Sequence, residues 1–246
     1  MKRYGLVGYP LGHSFSQKYF LKKFQKLNIS LSHKYEVFEI KSLNDFTEIW
    51  DHYPDLEGVN VTIPYKTEVI PFLDEIDVSA AGVKAVNVIK KKGNKLIGYN
   101  SDVFGFKQSL ENWLMGAELK ALIFGSGGSS LAVQAGLKAL NIPFKIVSRE
   151  IIKGDFTYLQ LNQAPSIIDR YHLLINTTPK GMFPNIEEGP PIPYRRIGQN
   201  HYCFDLIYNP KETFFMRHGR QNNARTKNGL EMLELQAEKS WEIWTK

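Results

Sequence analysis

The 246-residue chain carries a single cysteine, Cys203, so an internal disulfide is excluded. Its place in the apolar stretch 202–208 reads as that of a small buried hydrophobe. No apolar run approaches the roughly 20 residues that a membrane-spanning helix needs. The first eight residues are basic but lack the apolar core and cleavage site of a signal peptide, so a cytoplasmic location is expected. The six histidines include no pair at a metal-ligand spacing such as His-Glu-x-x-His, and no metal is expected. With 43% hydrophobic and 23% charged residues, the composition is that of a folded globular protein.

The formal charge of +6 raises the question of nucleic acid, and its distribution answers against it. The densest run, Lys90-Lys91-Lys92, leads into Gly93-Asn94-Lys95 between two strand-like segments, the composition of a solvated hairpin tip. Lys22-Lys23 and Arg195-Arg196 stand apart, and no stripe of basic residues interleaves with aromatics. A small anionic ligand suits the balance better.

What is present is organised around Asn60-Val61-Thr62-Ile63-Pro64-Tyr65-Lys66. A strand over 56–61 ends in a turn enforced by Pro64, which lifts Thr62 and Lys66 off the end of a sheet. Lys66 is then either a proton donor beside a threonine hydroxyl or the solvated start of a short helix carrying Val69, Ile70 and Leu73. Upstream, a strand over 4–8 runs through a Gly/Pro loop into a helix with Phe20, Leu21, Phe24 and Leu27. Ser14 and Ser16 sit at that helix start, as N-caps or as hydroxyls for a carboxylate at the positive end of the dipole. Residues 33–40 alternate as a strand, and Ser42-Leu43-Asn44-Asp45 approaches a capping box for a helix with Phe46, Ile49 and Trp50. Segments 83–89 and 95–99 pair as the hairpin. They deliver Asn87, a buried amide or a ligand contact, and Asp102, an N-cap for the helix 104–114 or a partner for chemistry.

Past residue 114 the character changes. An apolar strand, 120–124, meets Gly125-Ser126-Gly127-Gly128-Ser129-Ser130, then an apolar helix and a second buried strand, 144–147. This βαβ order with glycines at the first turn is the setting of a dinucleotide loop. Gly125 permits the tight turn, Gly127 the approach of a pyrophosphate, and Ser130 is the small third position. Arg149, at the tip of the second strand with Lys153 near, favours NADP over NAD. Glu150 either turns outward or repels the extra phosphate. Buried strands at 173–176 and 201–207 end in Thr177-Thr178-Pro179 and Tyr208-Asn209-Pro210. The last helix carries the stripe Leu230, Leu233, Ala237, Trp241 and Trp244, with Gln236 off it, facing either solvent or the site.

Taken in order, these motifs resemble the shikimate dehydrogenases. The likeness runs through Gly8-Tyr9-Pro10-Leu11-Gly12-His13-Ser14-Phe15-Ser16, the 60–66 segment, Ala85-Val86-Asn87, Asn100-Ser101-Asp102 and the glycine loop. It continues through Asn176-Thr177-Thr178-Pro179, Asp205-Leu206-Ile207-Tyr208-Asn209-Pro210 and Gly229-Leu230-Glu231-Met232-Leu233 with Gln236. Gln17, Val88, Ser101 and Ser148-Arg149-Glu150 depart from the family pattern.

The resemblance implies reversible, NADPH-dependent reduction of 3-dehydroshikimate to shikimate on the way to aromatic amino acids. Lys66 would be the acid–base residue, paired with Asp102. Ser14 and Ser16 would hold the substrate carboxylate; Thr62, Asn87, Gln236 and Asp102 would bond ring hydroxyls, with Tyr208 nearby. The cofactor set expected is Gly125, Ser126, Gly127, Gly128, Ser129, Ser148, Arg149, Thr178, Leu206 and Gly229.

The expected architecture is α/β in two domains. One is a substrate domain of residues 1–101 plus 228–246, with a mostly parallel mixed sheet. The other is a Rossmann-like doubly wound NADP-binding domain of residues 102–227, and both ligands are expected in a cleft between them. The expected partners are small molecules, with neither nucleic acid nor membrane, and the chain is expected as a monomer or homodimer. A quinate or dual-specificity dehydrogenase would share every motif, and a non-catalytic nucleotide-binding protein would share the fold.

Overall fold

The computed structural model describes residues 1–12, 15–114 and 119–246. They divide into two compact units, Met1–Phe104 with Gln236–Lys246, and Gly105–Leu235. The units divide at 104/105 and 235/236, where the boundaries expected from sequence are 101/102 and 227/228.

The first unit contains β1 (Lys2–Gly8), α1 (Phe15–Lys26), β2 (His33–Glu39), α2 (Phe46–His52), β3 (Leu56–Val61), β4 (Glu75–Ile76), α3 (Val78–Ala81), β5 (Val88–Lys92), β6 (Lys95–Tyr99) and the start of α4 (Asp102–Leu114). Its sheet runs β2-β1-β3-β5-β6-β4. β1 is parallel to β2 and β3, whereas β5 runs antiparallel to β3 and β6. Apolar groups pack on both faces, with Phe46, Trp50 and Val61 in one cluster and Tyr4, Phe20, Tyr35 and Trp244 in another. The inner strands β1 and β3 are accordingly buried along most of their length, whereas the edge strand β2 is only partly covered. The lysine-rich segment is indeed a hairpin tip, closed at Gly93 with φ +61°.

Local expectations fail in four places. After Lys66 the chain forms turns and a single 3₁₀ turn, Ile70–Phe72, in place of an amphipathic helix. Pro71 lacks an N–H and its ring clashes with the preceding turn of an α-helix, while Pro is tolerated at the start of the shorter turn. α1 buries Phe20 and Phe24, one turn apart, but leaves Leu21 exposed, and Leu27 lies past its end and is exposed too. The hairpin's first strand starts at Val88 rather than 83, because Lys84 adopts φ +55° and breaks the extended backbone. Ser42 accepts from the Asn44 amide at 3.2 Å, capping a 3₁₀ turn that feeds α2 rather than α2 itself.

The second unit holds β7 (Ala121–Phe124), α5 (Gly128–Ala139), β8 (Phe144–Ser148), β9 (Phe156–Thr157), α6 (Tyr158–Gln163), β10 (Leu173–Asn176), β11 (Tyr202–Asp205), α7 (Phe214–Gln221), β12 (Arg225–Lys227) and the first part of α8 (Leu230–Thr245). Its strands are all parallel, in the order β12-β11-β10-β7-β8-β9. β7, β10 and most of β11 are fully buried, as the continuous apolar runs require. The strand order reverses between β7 and β10, which marks the topological switch point where ligands bind in such sheets. Cys203 is buried and free, and burial pushes its thiol up to about 12.

Candidate active site

In the first unit, β3 ends at Val61 and the Thr62 amide continues the pairing by donating to Val7 O at 2.9 Å. The turn that follows is anchored by Tyr65, whose hydroxyl donates to Ile40 O at 2.7 Å from a buried ring. With Tyr65 fixed inward, Lys66 projects from the turn and its Nζ donates to Asp102 Oδ2 at 2.6 Å. Both side chains are mostly covered, 21% and 14% exposed, so this is a charge-assisted bond with little competition from water. Asp102 is free to make it because Asn100 Oδ1 takes the capping role at α4, accepting from the Val103 amide at 3.1 Å.

Close in the same unit lies a set of amides and hydroxyls. Asn87 Oδ1 accepts from the Ser101 amide at 2.7 Å, and its Nδ2 donates to Ser101 Oγ at 3.0 Å. Gln236 Oε1 lies 3.5 Å from Asn87 Nδ2 and 3.3 Å from Ser101 Oγ, so the residue read as facing either solvent or the site is in fact 7% exposed. Ser16, in the first turn of α1, hydrogen-bonds the Tyr35 hydroxyl. Burial drives the Tyr35 phenol far above its ordinary value, and the Ser16 bond opposes that rise. Ser14 lies outside the described residues.

In the second unit a cavity of about 550 Å³ opens at the switch point, between the loop after β7 and that after β10. Gly125, Ser126, Gly127, Ser148, Arg149 and Thr178 line it. A larger hollow of about 1080 Å³ lies among Lys120, Pro143 and His172, at the opposite, N-terminal ends of the strands. Position rather than size selects the first, since ligands of doubly wound sheets sit at the carboxyl ends. Gly125 has φ +107°, and a side chain there would also strike Thr177 Oγ1 at 2.7 Å. Thr178 is held by two bonds to Asn176 Oδ1, from its amide at 3.0 Å and its hydroxyl at 2.7 Å. Asn176 is held in turn by Asp205, which also accepts from Thr213 and the Ile207 amide. Burial pushes the Asp205 carboxyl up to about 6, against the pull of those three bonds.

The model for the shikimate dehydrogenase substrate binding domain matches residues 6–89. The shikimate dehydrogenase (NADP(+)) of Halothermothrix orenii is 39% identical, over 98% of this chain and 90% of that protein. The chain belongs to the shikimate dehydrogenase family. Shikimate dehydrogenase 1 of Peptoclostridium difficile superposes with a TM-score of 0.84 at 36% identity, covering 100% of this chain and 92% of that one. A shikimate dehydrogenase solved in complex with NADP+ gives 0.87 at 31% identity, covering 99% and 90%.

The glycine loop of this family member fits a dinucleotide. α5 starts from Gly127 with no side chain capping it, and a Cβ at Gly127 or Gly128 would meet nothing, so the first amides are open to an anion. Arg149 makes no ion pair among the described residues, whereas Glu150 turns to Lys153 at 3.0 Å. The Tyr158 hydroxyl is buried beside the cavity with no hydrogen-bond partner among the described residues, and burial raises it to about 12 while Arg149 opposes the rise.

Gly128, Ser129, Leu206 and Gly229 are not part of the cavity wall. Gly229 instead packs on Leu206, its amide donating to Ile207 O at 3.1 Å. Tyr208 is partly buried in the turn after β11, and burial raises its phenol. Sequence reading missed Tyr158 and Pro191 in the wall. Thr157-x-x-Gln160, a capping box here, was the available signal for Tyr158. Pro191 gave none.

Proposed function

We propose that this chain catalyses the reversible, NADPH-dependent reduction of 3-dehydroshikimate to shikimate, with Lys66 as acid–base residue. The observation that carries the reading is the 2.6 Å bond from Lys66 to Asp102, set within one unit beside Asn87 and Gln236. A bound NADPH would supply hydride to the carbonyl carbon. The carbonyl oxygen then gains negative charge, and Lys66 Nζ both stabilises that charge and delivers the proton. Asp102 orients Nζ through the 2.6 Å bond. In the oxidative direction Lys66 takes the hydroxyl proton back.

Recognition of a polyhydroxylated ring is assigned to Thr62, Asn87, Asp102, Gln236 and Tyr208, and that of its carboxylate to Ser14 and Ser16. A site that bonds hydroxyls rejects analogues lacking them, because its own buried polar groups are then left unpaired. Gly125, Ser126, Gly127, Gly128, Ser129, Ser148, Arg149, Thr178, Leu206 and Gly229 are assigned to NADP. Arg149, just past β8 and without an ion pair among the described residues, is the group for the 2′-phosphate. The place of action proposed is the cytoplasm, in the route to aromatic amino acids.

The test is an initial-rate assay of reduced-cofactor formation from shikimate and from quinate, each with NADP+ and NAD+. Turnover of shikimate with NADP+ ahead of the other three combinations supports the reading. No turnover of shikimate with either cofactor overturns it.

A further inference from the structure

Ser101 is fully buried next to Asp102, and the groups around it fix the direction of most of its hydrogen bonds. Its backbone N–H can only donate, so Asn87 must turn Oδ1 toward it, at 2.7 Å. Asn87 Nδ2 therefore faces Ser101 Oγ at 3.0 Å and Gln236 at 3.5 Å. On the other side stands Ser240, whose single proton goes to Gln236 O at 2.8 Å. Asn60 supports it, donating through Nδ2 to Ser240 Oγ at 2.9 Å and to Asn87 O at 3.3 Å. The Asn87 carbonyl can only accept, which settles the orientation of Asn60 as well. Ser240 has thus no proton left for Ser101, and the bond that Ser101 Oγ accepts is Asn87's. Ser101's own proton reaches Gln236 Oε1 at 3.3 Å and Ser240 Oγ at 3.2 Å; Ser240 is already served by Asn60, whereas Gln236 Oε1 otherwise has only the 3.5 Å contact from Asn87.

Among the described residues, the side-chain donors that reach the Gln236 amide, Asn87 Nδ2 and Ser101 Oγ, both face its oxygen. The flipped amide would set an amine against the Asn87 amine and leave a buried donor unpaired. No described residue accepts from Gln236 Nε2.

We propose that Ser101 is a positioning residue that fixes the polarity of Gln236, carbonyl toward the protein and amine toward the ligand, so that Gln236 recognises a ring hydroxyl as a donor to its oxygen. The proposal rests on the shikimate reading above. Asn60, which opens the 60–66 segment yet has no ligand role assigned, serves it from behind through Ser240.

The test compares wild type with Ser101→Ala and Ser101→Thr on shikimate and on its monodeoxy analogues, with thermal unfolding measured on each variant. In Ser101→Ala the Gln236 amide loses its hydroxyl donor. The KM for shikimate is expected to rise about tenfold with kcat within about threefold, the scale of one unpaired hydrogen bond. Discrimination against one deoxy analogue is expected to narrow by the same factor, and against the others to hold. Ser101→Thr keeps the hydroxyl and is expected to restore the discrimination. A merely structural role would lower the unfolding temperature and leave every discrimination ratio unchanged, and that result overturns the proposal. Should Ser101→Thr fold poorly, Ser101→Ala alone decides between these outcomes. Absence of wild-type turnover of shikimate would instead count against the functional reading itself.

Discussion

Asn100 Oδ1 accepts the Val103 amide hydrogen at 3.1 Å, closing the first turn of α4 and leaving the carboxylate of Asp102 to Lys66. Asn100 is itself held, its Nδ2 donating to Ala85 O at 2.8 Å. In Asn100→Ala the cap is lost, and the first turn of α4, which carries Asp102, is left without it. The expected result is a stability loss of about 1 kcal/mol by denaturant unfolding together with a lower kcat. A kcat equal to wild type would show that the division of labour between the two residues has no catalytic consequence.

Arg149 and Glu150 should act on cofactor choice in opposite directions. Arg149→Ala is expected to lower kcat/KM for NADP+ by about 10- to 100-fold, the scale of one charge-assisted contact, and to leave NAD+ nearly unaffected. Glu150 is paired with Lys153 on the surface, 56% and 59% exposed respectively, and such pairs hold weakly. Glu150→Gln frees Lys153 and is expected to raise the ratio of NADP+ to NAD+ efficiency. Parallel kinetics with the two cofactors read both effects.

Gly229 tests backbone packing without touching charge. A Cβ there would lie 2.0 Å from Leu206 O, a backbone atom that cannot swing aside. Gly229→Ala is expected to cost about 1–3 kcal/mol, as overpacking does, measured by thermal or urea unfolding. An unchanged midpoint would mean that the Leu206 segment shifts freely.

Asp205 gives a pH signature. Its carboxyl is pushed up to about 6 from an ordinary 3.8, so between those values the folded protein binds more protons than the unfolded chain. Stability therefore falls as pH rises through that window, and above it the buried charge is a standing cost. Asp205→Asn removes this slope. The difference in unfolding free energy between variant and wild type should change from pH 4 to 6, in favour of the variant at the higher pH. A constant difference would place the Asp205 titration at its ordinary value.

Much of this was legible because it is local. Strand, glycine loop, helix and strand follow one another from β7 to β8, and each element announces itself by a short apolar run or a glycine. The lysine hairpin was legible for the same reason. What stayed hidden depends on partners far away in the chain. Ser101 and Ser240 meet at 3.2 Å across 139 residues, and no periodicity connects them. Asn100 and Asp102 carry equally plausible caps, and only the position of Lys66 decides between them. The segment after Lys66 misled because its apolar spacing is helical, while Pro71 within it forbids an α-helix from continuing.

The most direct measurement is the steady-state rate of NADP+ reduction by shikimate for wild type, Lys66→Ala and Asp102→Asn. General acid–base residues contribute typically 10²- to 10⁴-fold. The expected result is a loss of kcat on that scale for Lys66→Ala, with a shikimate KM within a few-fold of wild type, and a kcat loss of the same sign for Asp102→Asn. A Lys66→Ala variant that turns over near the wild-type rate would contradict the assignment of the proton to Lys66.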